Sequence, residues 1–312
     1  MKLSVRAALS TIVIATAAAA STTAPAAAAP RELAPRVVAD PVAHGKVPAK
    51  GASTAGPRRS ANMTYHNGKI MPTVVSKAIY WGPSWASGSF VADKISGLDA
   101  WYTGHSGSRY AATVGEYTDT LGGGHQVGST GFTNQGYVID TSTAAGGGST
   151  STILNEVAKQ VKAGTIVLDP NGNSYIPVYT DVRRGSAGYC AWHSNGTING
   201  VTVQFAYFFN LDGDAGCDPQ DTQTGHSQGL AALANVTAHE LSEARSDPMG
   251  SAWYDSKGAE NGDKCAWTFN VPYVTFPNGT VWKLQGEWSN AAYNAGTGYP
   301  NSSGQTGCLD GH

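Results

Sequence analysis

Residues 229–247 read GLAALANVTAHELSEARSD, and two periodicities are superimposed in them. Leu230, Leu233, Ala234, Thr237, Leu241 and Ala244 recur at intervals of three and four, which predicts a helix with a small-residue stripe facing the core. Ser227 is placed to cap its start, and Pro248 stops it because proline cannot continue the hydrogen-bond ladder. Just before it, Val201-Thr202-Val203-Gln204-Phe205-Ala206-Tyr207-Phe208-Phe209 is the strongest strand of the chain, with β-branched and aromatic residues throughout.

Working outward, Val74–Trp81 is a second strand, ended by Gly82-Pro83. Phe90–Tyr102 is spaced as a helix, and Ser108–Tyr117 extends that helical region. Residues 151–163 form an amphipathic helix closed by Gly164. Ser174–Thr180 reads as a strand that Pro177 confines to an edge. Strands and helices in this order imply an α/β (α+β) class: one domain, a mixed sheet with packed helices, and a loop-rich C-terminal part.

The chain opens as exported proteins do. Lys2 and Arg6 precede an uncharged, alanine-rich run over 7–20, and small residues at 21–29 offer cleavage sites, so residues 1–29 are expected to be a signal peptide. The apolar run is too short to span a bilayer. Residues 30–61 are rich in Pro, Ala, Arg and Gly and are expected to be a disordered linker or pro-segment, leaving a globular domain over 62–312. Net charge is −2 with no basic run beyond the leader and linker, so nucleic-acid binding has no electrostatic support. The four cysteines follow the linker. In an exported chain they imply two disulfides. Three pairings are open, of which Cys190–Cys217 with Cys265–Cys308 is favoured because each closes a moderate loop on one side of the helix.

Chemistry concentrates on the other face of that helix. His239, Glu243 and Asp247 stand at i, i+4 and i+8, so an imidazole and one or two carboxylates converge on one position. Glu240 projects about 100° away. A zinc helix uses this offset, the i and i+4 residues holding the metal and the intervening Glu serving as general base. Here the motif is H-E-x-x-E; a carboxylate is an acceptable zinc ligand. Further ligands are sought among Asp247, Glu260, Asp263, His193 and His226. The competing reading is a surface-facing polar stripe linked to Arg245 or Lys264. Separately, Asp212, Asp214, Asp218 and Asp221 lie in one loop, a candidate for calcium without EF-hand spacing and with a solvated acidic loop as the competing reading.

Several segments together resemble the exordium-like, or phosphate-induced-protein-1-like, family: Met63-Thr64-Tyr65-His66-Asn67-Gly68-Lys69-Ile70-Met71, Ile79-Tyr80-Trp81-Gly82, Tyr189-Cys190-Ala191-Trp192-His193-Ser194, His239-Glu240-Leu241-Ser242-Glu243-Ala244-Arg245-Ser246-Asp247-Pro248, Glu260-Asn261-Gly262-Asp263-Lys264-Cys265-Ala266-Trp267 and Glu287-Trp288-Ser289-Asn290. The resemblance spans 63–308 and implies a secreted, zincin-like domain of the microbial branch. Plant members generally lose the His-Glu pair and carry no established catalysis, so the resemblance leaves activity open.

Two functions follow as expectations. One is a secreted zinc-dependent hydrolase, most simply a metallopeptidase, with His239, Glu243, Asp247, Glu260 and Asp263 as candidate ligands, Glu240 as base, and the 201–209 strand offering an edge to a peptide substrate. The other is a non-catalytic extracellular protein that binds carbohydrate or another cell-wall component through exposed Trp and Tyr. Neither calls for nucleic acid or a membrane.

Overall fold

The computed structural model describes residues 34–52 and 62–312; the expected signal peptide lies outside them. Seven strands build the main sheet: β1 (Val37–Ala39), β2 (His44–Pro48), β3 (Val74–Trp81), β4 (Phe132–Asp140), β5 (Ser174–Arg183), β6 (Tyr189–Ile198) and β7 (Val201–Asn210). Their order is β1-β6-β7-β5-β3-β4, with β2 also paired to β6. From β4 to β7 neighbours run parallel; β6 is antiparallel to β7, and β1 and β2 are antiparallel to β6.

Three strand expectations need correcting. β5 is interior despite Pro177. Its pairing with β3 lapses between Tyr175 and Val178, where the proline has no N–H to give, so the ladder tolerates it. β7 is likewise interior, flanked by β5 and β6, and offers no edge to a substrate. The third concerns the expected linker. Residues 34–52 carry β1 and β2, and from Pro35 onward the chain belongs to the same compact unit as the rest. The low apolar content of this stretch was misleading because its backbone completes an existing sheet edge. Only Val47 is deeply buried among its large apolar side chains.

β6 joins β7 through Asn199-Gly200, both at positive φ (53° and 85°), the backbone a two-residue hairpin turn demands. Side chains alternate across β6. Trp192 Nε1 donates to Gly147 O at 2.9 Å, ahead of helix Thr150–Lys162, whereas the opposite face packs on helix Gln228–Ser246. Tyr179 of β5 meets that second helix at Thr237, hydroxyl to hydroxyl at 2.8 Å.

We label the main helices α1 (Lys94–His105), α2 (Thr150–Lys162) and α3 (Gln228–Ser246). α1 is shorter than expected, because Ala92 at φ 45° separates it from a single turn at Gly88–Val91. The region after it holds a 3₁₀ turn at Ala111–Val114 in place of further α-helix. Ser227 Oγ caps α3 by accepting from Leu230 N at 3.1 Å. Gly229–Ser246 are all buried. That overturns the surface-stripe alternative: Arg245 turns to the carbonyls of Ala111 and Gly128, and Lys264 to Asp255 at 3.5 Å. Small residues on α3 let β2, β6, β7 and α1 approach it from several sides.

Beyond α3 lie short elements, among them α4 (Asn261–Lys264), α5 (Asn290–Ala295) and a small sheet of β8 (Glu287–Trp288), β9 (Tyr299–Pro300) and β10 (Thr306–Leu309). The disulfides are Cys190–Cys217 and Cys265–Cys308, spanning 27 and 43 residues. The second ties the end of α4 to β10. Replacing Cys265 and Cys308 together by Ser is expected to lower the unfolding free energy by about 4 kcal/mol through regained loop entropy. Guanidinium unfolding of oxidised wild type against the double variant measures it, and a loss below about 1 kcal/mol would contradict the entropic account.

Candidate metal centre

Glu243, one turn below His239 on α3, sits at the centre of a buried cluster. His239 Nε2 lies 2.9 Å from Glu243 Oε1, and the Asp263 amide donates to the same oxygen at 2.8 Å. On the other side His193 Nε2 approaches Glu243 Oε2 at 3.8 Å and Glu260 Oε2 at 3.5 Å. Asp263 Oδ1 stands 3.8 Å from His239 Nε2. Two potential ligand triads result, His239/Glu243/Asp263 and His193/Glu243/Glu260, each with its ligand atoms within 4.8 Å of one another. Glu243 belongs to both, one oxygen to each.

Three parts of the chain bring these groups together. α3 supplies His239 and Glu243 by the four-residue repeat. β6 supplies His193, fixed near its start by the Cys190 disulfide. α4 supplies Glu260 and Asp263 through a capping box in which Glu260 N donates to Asp263 Oδ2 at 3.2 Å, leaving Oδ1 for the cluster. Gly262 lets α4 close in, since a Cβ there would stand 2.8 Å from His239 Cγ and 3.0 Å from Glu243 Oε1.

The electrostatics are unbalanced. His193, His239, Glu240, Glu243 and Asp247 have no exposed surface, and Glu260 has 3%. Both His193 nitrogens, both Glu240 oxygens and one oxygen each of Glu243, Asp247 and Glu260 have no hydrogen-bond partner. Burial holds His193 well below the usual imidazole range, helped by His44 and His239, so it is neutral and ready to act as a ligand. Burial, then Glu243, push Glu240 well up; Glu260 moves the same way for the same causes. At His239 burial opposes the charge, but Glu243 outweighs it and lifts the ring to about 9. Against this, Gln285 Nε2 donates to His239 Nδ1 at 2.9 Å and to Gly262 O at 3.1 Å. Without an ion that hydrogen bond selects the neutral ring with its proton on Nε2, facing Glu243; an ion held at Nε2 would move the proton to Nδ1, with the Gln285 amide turned to accept from it. Buried carboxylates without a compensating cation are costly. A divalent ion would satisfy the unpaired oxygens of Glu243 and Glu260 together with His193, so that donor set fits zinc.

Not every expected residue joins. Asp247 caps the turn after α3, its Oδ1 accepting from Ser251 N at 2.6 Å and Ala252 N at 2.7 Å, and it belongs to neither triad. His226 Nε2 donates to Val281 O at 2.9 Å and the ring stacks on Trp282, away from the cluster. Glu240 lies off both triads, in the field of Glu243 and Asp263. The four loop aspartates do not converge, and among the described residues they join no metal-binding group. Asp212 takes Lys94, Asp214 takes Arg184 at 2.7 Å, and Asp218 and Asp221 cap local turns. Gln285, Gly262 and the stretch around Gly45 lie at the site without having been expected there. A lone Gln or a His-Gly pair in a proline-rich stretch carries no periodic signal.

Compared with known protein families, characterised proteins and solved structures, the chain matches none.

Burial raises Asp247 from 3.8 to about 6 against the opposing amides of Ala252 and Ser251. The folded state therefore favours its protonated form, and metal-free stability falls as pH rises through the window from about 4 to about 6. The size is about 3 kcal/mol. Asp247→Asn keeps the capping oxygen and is expected to flatten that part of the profile. Urea unfolding at pH 4, 5, 6 and 7 with chelator present checks it, an unchanged slope in the variant counting against the assignment.

Proposed function

We propose that this protein is an exported metal-dependent hydrolase, most simply a zinc peptidase, whose centre is organised by Glu243. The observation that carries the reading is the pair of triads, His239/Glu243/Asp263 and His193/Glu243/Glu260, that share the buried Glu243, with one oxygen each of Glu243 and Glu260 and both nitrogens of His193 lacking a hydrogen-bond partner. The two disulfides fit an oxidising compartment. No described helix is long and apolar enough to cross a membrane.

Glu243 would hold an ion with His193 and Glu260 in one triad, or with His239 and Asp263 in the other. Zinc in that position supplies a Lewis acid that makes a water molecule acidic near neutral pH. Glu240 follows His239 on α3, and its carboxyl, raised by burial and by Glu243, is suited to take a proton from the attacking water and return it to the leaving amine. Gln285 orients His239, and Gly262 keeps α4 close enough for Asp263 to reach it. The expected resemblance to the exordium-like family agrees with this reading through the same His239–Pro248 and Glu260–Trp267 segments.

The carbohydrate-binding alternative depends on exposed tryptophans and tyrosines. Six of the eight tryptophans are buried and Trp253 and Trp267 are half-buried, which leaves Tyr137 and Tyr273 as the exposed large aromatics among the described residues.

Elemental analysis of the purified protein is expected to find at least one equivalent of zinc, lost in His239→Ala and weakened in His193→Ala. Glu240→Gln should retain the metal while turnover of peptide substrates falls about 10²–10⁴-fold. Zinc retained with full activity would remove Glu240 from the mechanism.

A further inference from the structure

The residues that cover the metal centre come from the chain's own N-terminal strap. β2 runs antiparallel along the outer edge of β6, with His44 opposite His193, Val47 opposite Ala191 and Pro48 opposite Tyr189. Between the first two pairs the register shifts, and Gly45 stands at φ 49°, the left-handed region. A Cβ on Gly45 would lie 1.9 Å from Glu243 Oε2 and 2.7 Å from His193 Nε2, so the glycine backbone itself rests on the two potential ligands. Two residues on, Val47 is fully buried, whereas Lys46 between them is exposed and lies over the Tyr189 ring at 5.5 Å. β2 thus passes His193 and Glu243 in one extended run.

The strap is fastened at both ends. Upstream, Ser194 Oγ donates to Val42 O at 2.7 Å and Thr150 Oγ1 to Asp40 O at 2.5 Å. Downstream, Trp267 Nε1 donates to Pro48 O at 2.6 Å, Lys50 N donates to Gly216 O at 2.7 Å, and Lys50 Nζ reaches Asp218 O.

An extended segment added to a sheet edge, its backbone paired and alternate side chains pocketed, is a recurrent mode of peptide recognition. We propose that the edge of β6 beside His193 is the binding cleft for an extended peptide substrate, and that residues 44–48 occupy it as an intramolecular stand-in. The stand-in defines the substrate class: an unfolded or loop peptide with glycine or a similarly small residue over Glu243, an outward-facing residue next, and an aliphatic side chain in the Val47 pocket. It also makes the protein latent, because a peptide reaches the centre only when the strap leaves. The designation of the occupant as substrate rests on the hydrolase reading; the designation of the cleft does not.

The test uses the full chain and two variants. Gly45→Val puts a branched side chain where Glu243 and His193 stand and forces the strap outward. Lys50→Ala removes the anchor at the Asp218 carbonyl without touching a buried side chain. The probe is a fluorescent synthetic peptide with the sequence of residues 41–50, PVAHGKVPAK. Both variants are expected to show faster trypsin cleavage within the strap, zinc uptake from a chromophoric chelator accelerated about tenfold, and peptide capture by anisotropy that the wild type lacks. Unlabelled peptide should slow zinc uptake again. Capture without hydrolysis of any glycine-containing peptide upholds the cleft and overturns the hydrolase reading. Unchanged zinc uptake in both variants, or no capture once the strap is protease-sensitive, overturns the proposal, even where peptides are hydrolysed.

Discussion

The structure depends on burying carboxyl groups next to imidazoles inside a protein core. Glu243 is the pivot: one oxygen faces His239 and the Asp263 amide, the other faces His193. An ionised carboxylate at such a depth demands compensation, and desolvation commonly exceeds what a single ion pair returns. The surroundings follow from that demand. α4 brings an amide donor, β6 brings an imidazole, and Gly262 and Gly45 give up side chains so that backbone can come close. Replacing buried charged groups by well-packed apolar residues is often neutral or stabilising, which is why the arrangement reads as functional chemistry and not as a device for stability.

Much of this was visible in the sequence, for identifiable reasons. α2, α3 and the strands at 74–81 and 201–210 announce themselves through long, regular periodicity, and local caps such as Ser227 fix where they begin. His239 and Glu243 were legible because a helix converts spacing into direction. Glu260 and Asp263 were legible as candidates only, since a turn rich in Asn, Gly and Asp also suits ordinary loop chemistry.

What escaped depended on partners distant in the chain. β6, with Tyr189-Cys190-Ala191-Trp192-His193-Ser194-Asn195, lacks clean alternation because both faces are covered; the Asn199-Gly200 turn behind it was the available hairpin signal. β4 is polar and holds Gly136, and it pairs with β3 alone. The interior place of β5 was hidden because Pro177 argues for an edge unless one knows that its neighbour's ladder lapses there. β1 and β2 were missed since backbone pairing, not side-chain burial, holds most of their residues.

The strap has a consequence for how the fold is reached. Arg36 N bonds Asn199 Oδ1 across 163 residues, so the strap waits for the sheet to be made before it finds its place. Such distant pairings form late and slow folding. Until then the outer edge of β6 carries unpaired amides and carbonyls, the pattern on which chains aggregate edge to edge. A strand supplied by the same molecule protects that edge at a local concentration no second copy can match, so the N-terminal residues also serve as a guard for the folding sheet.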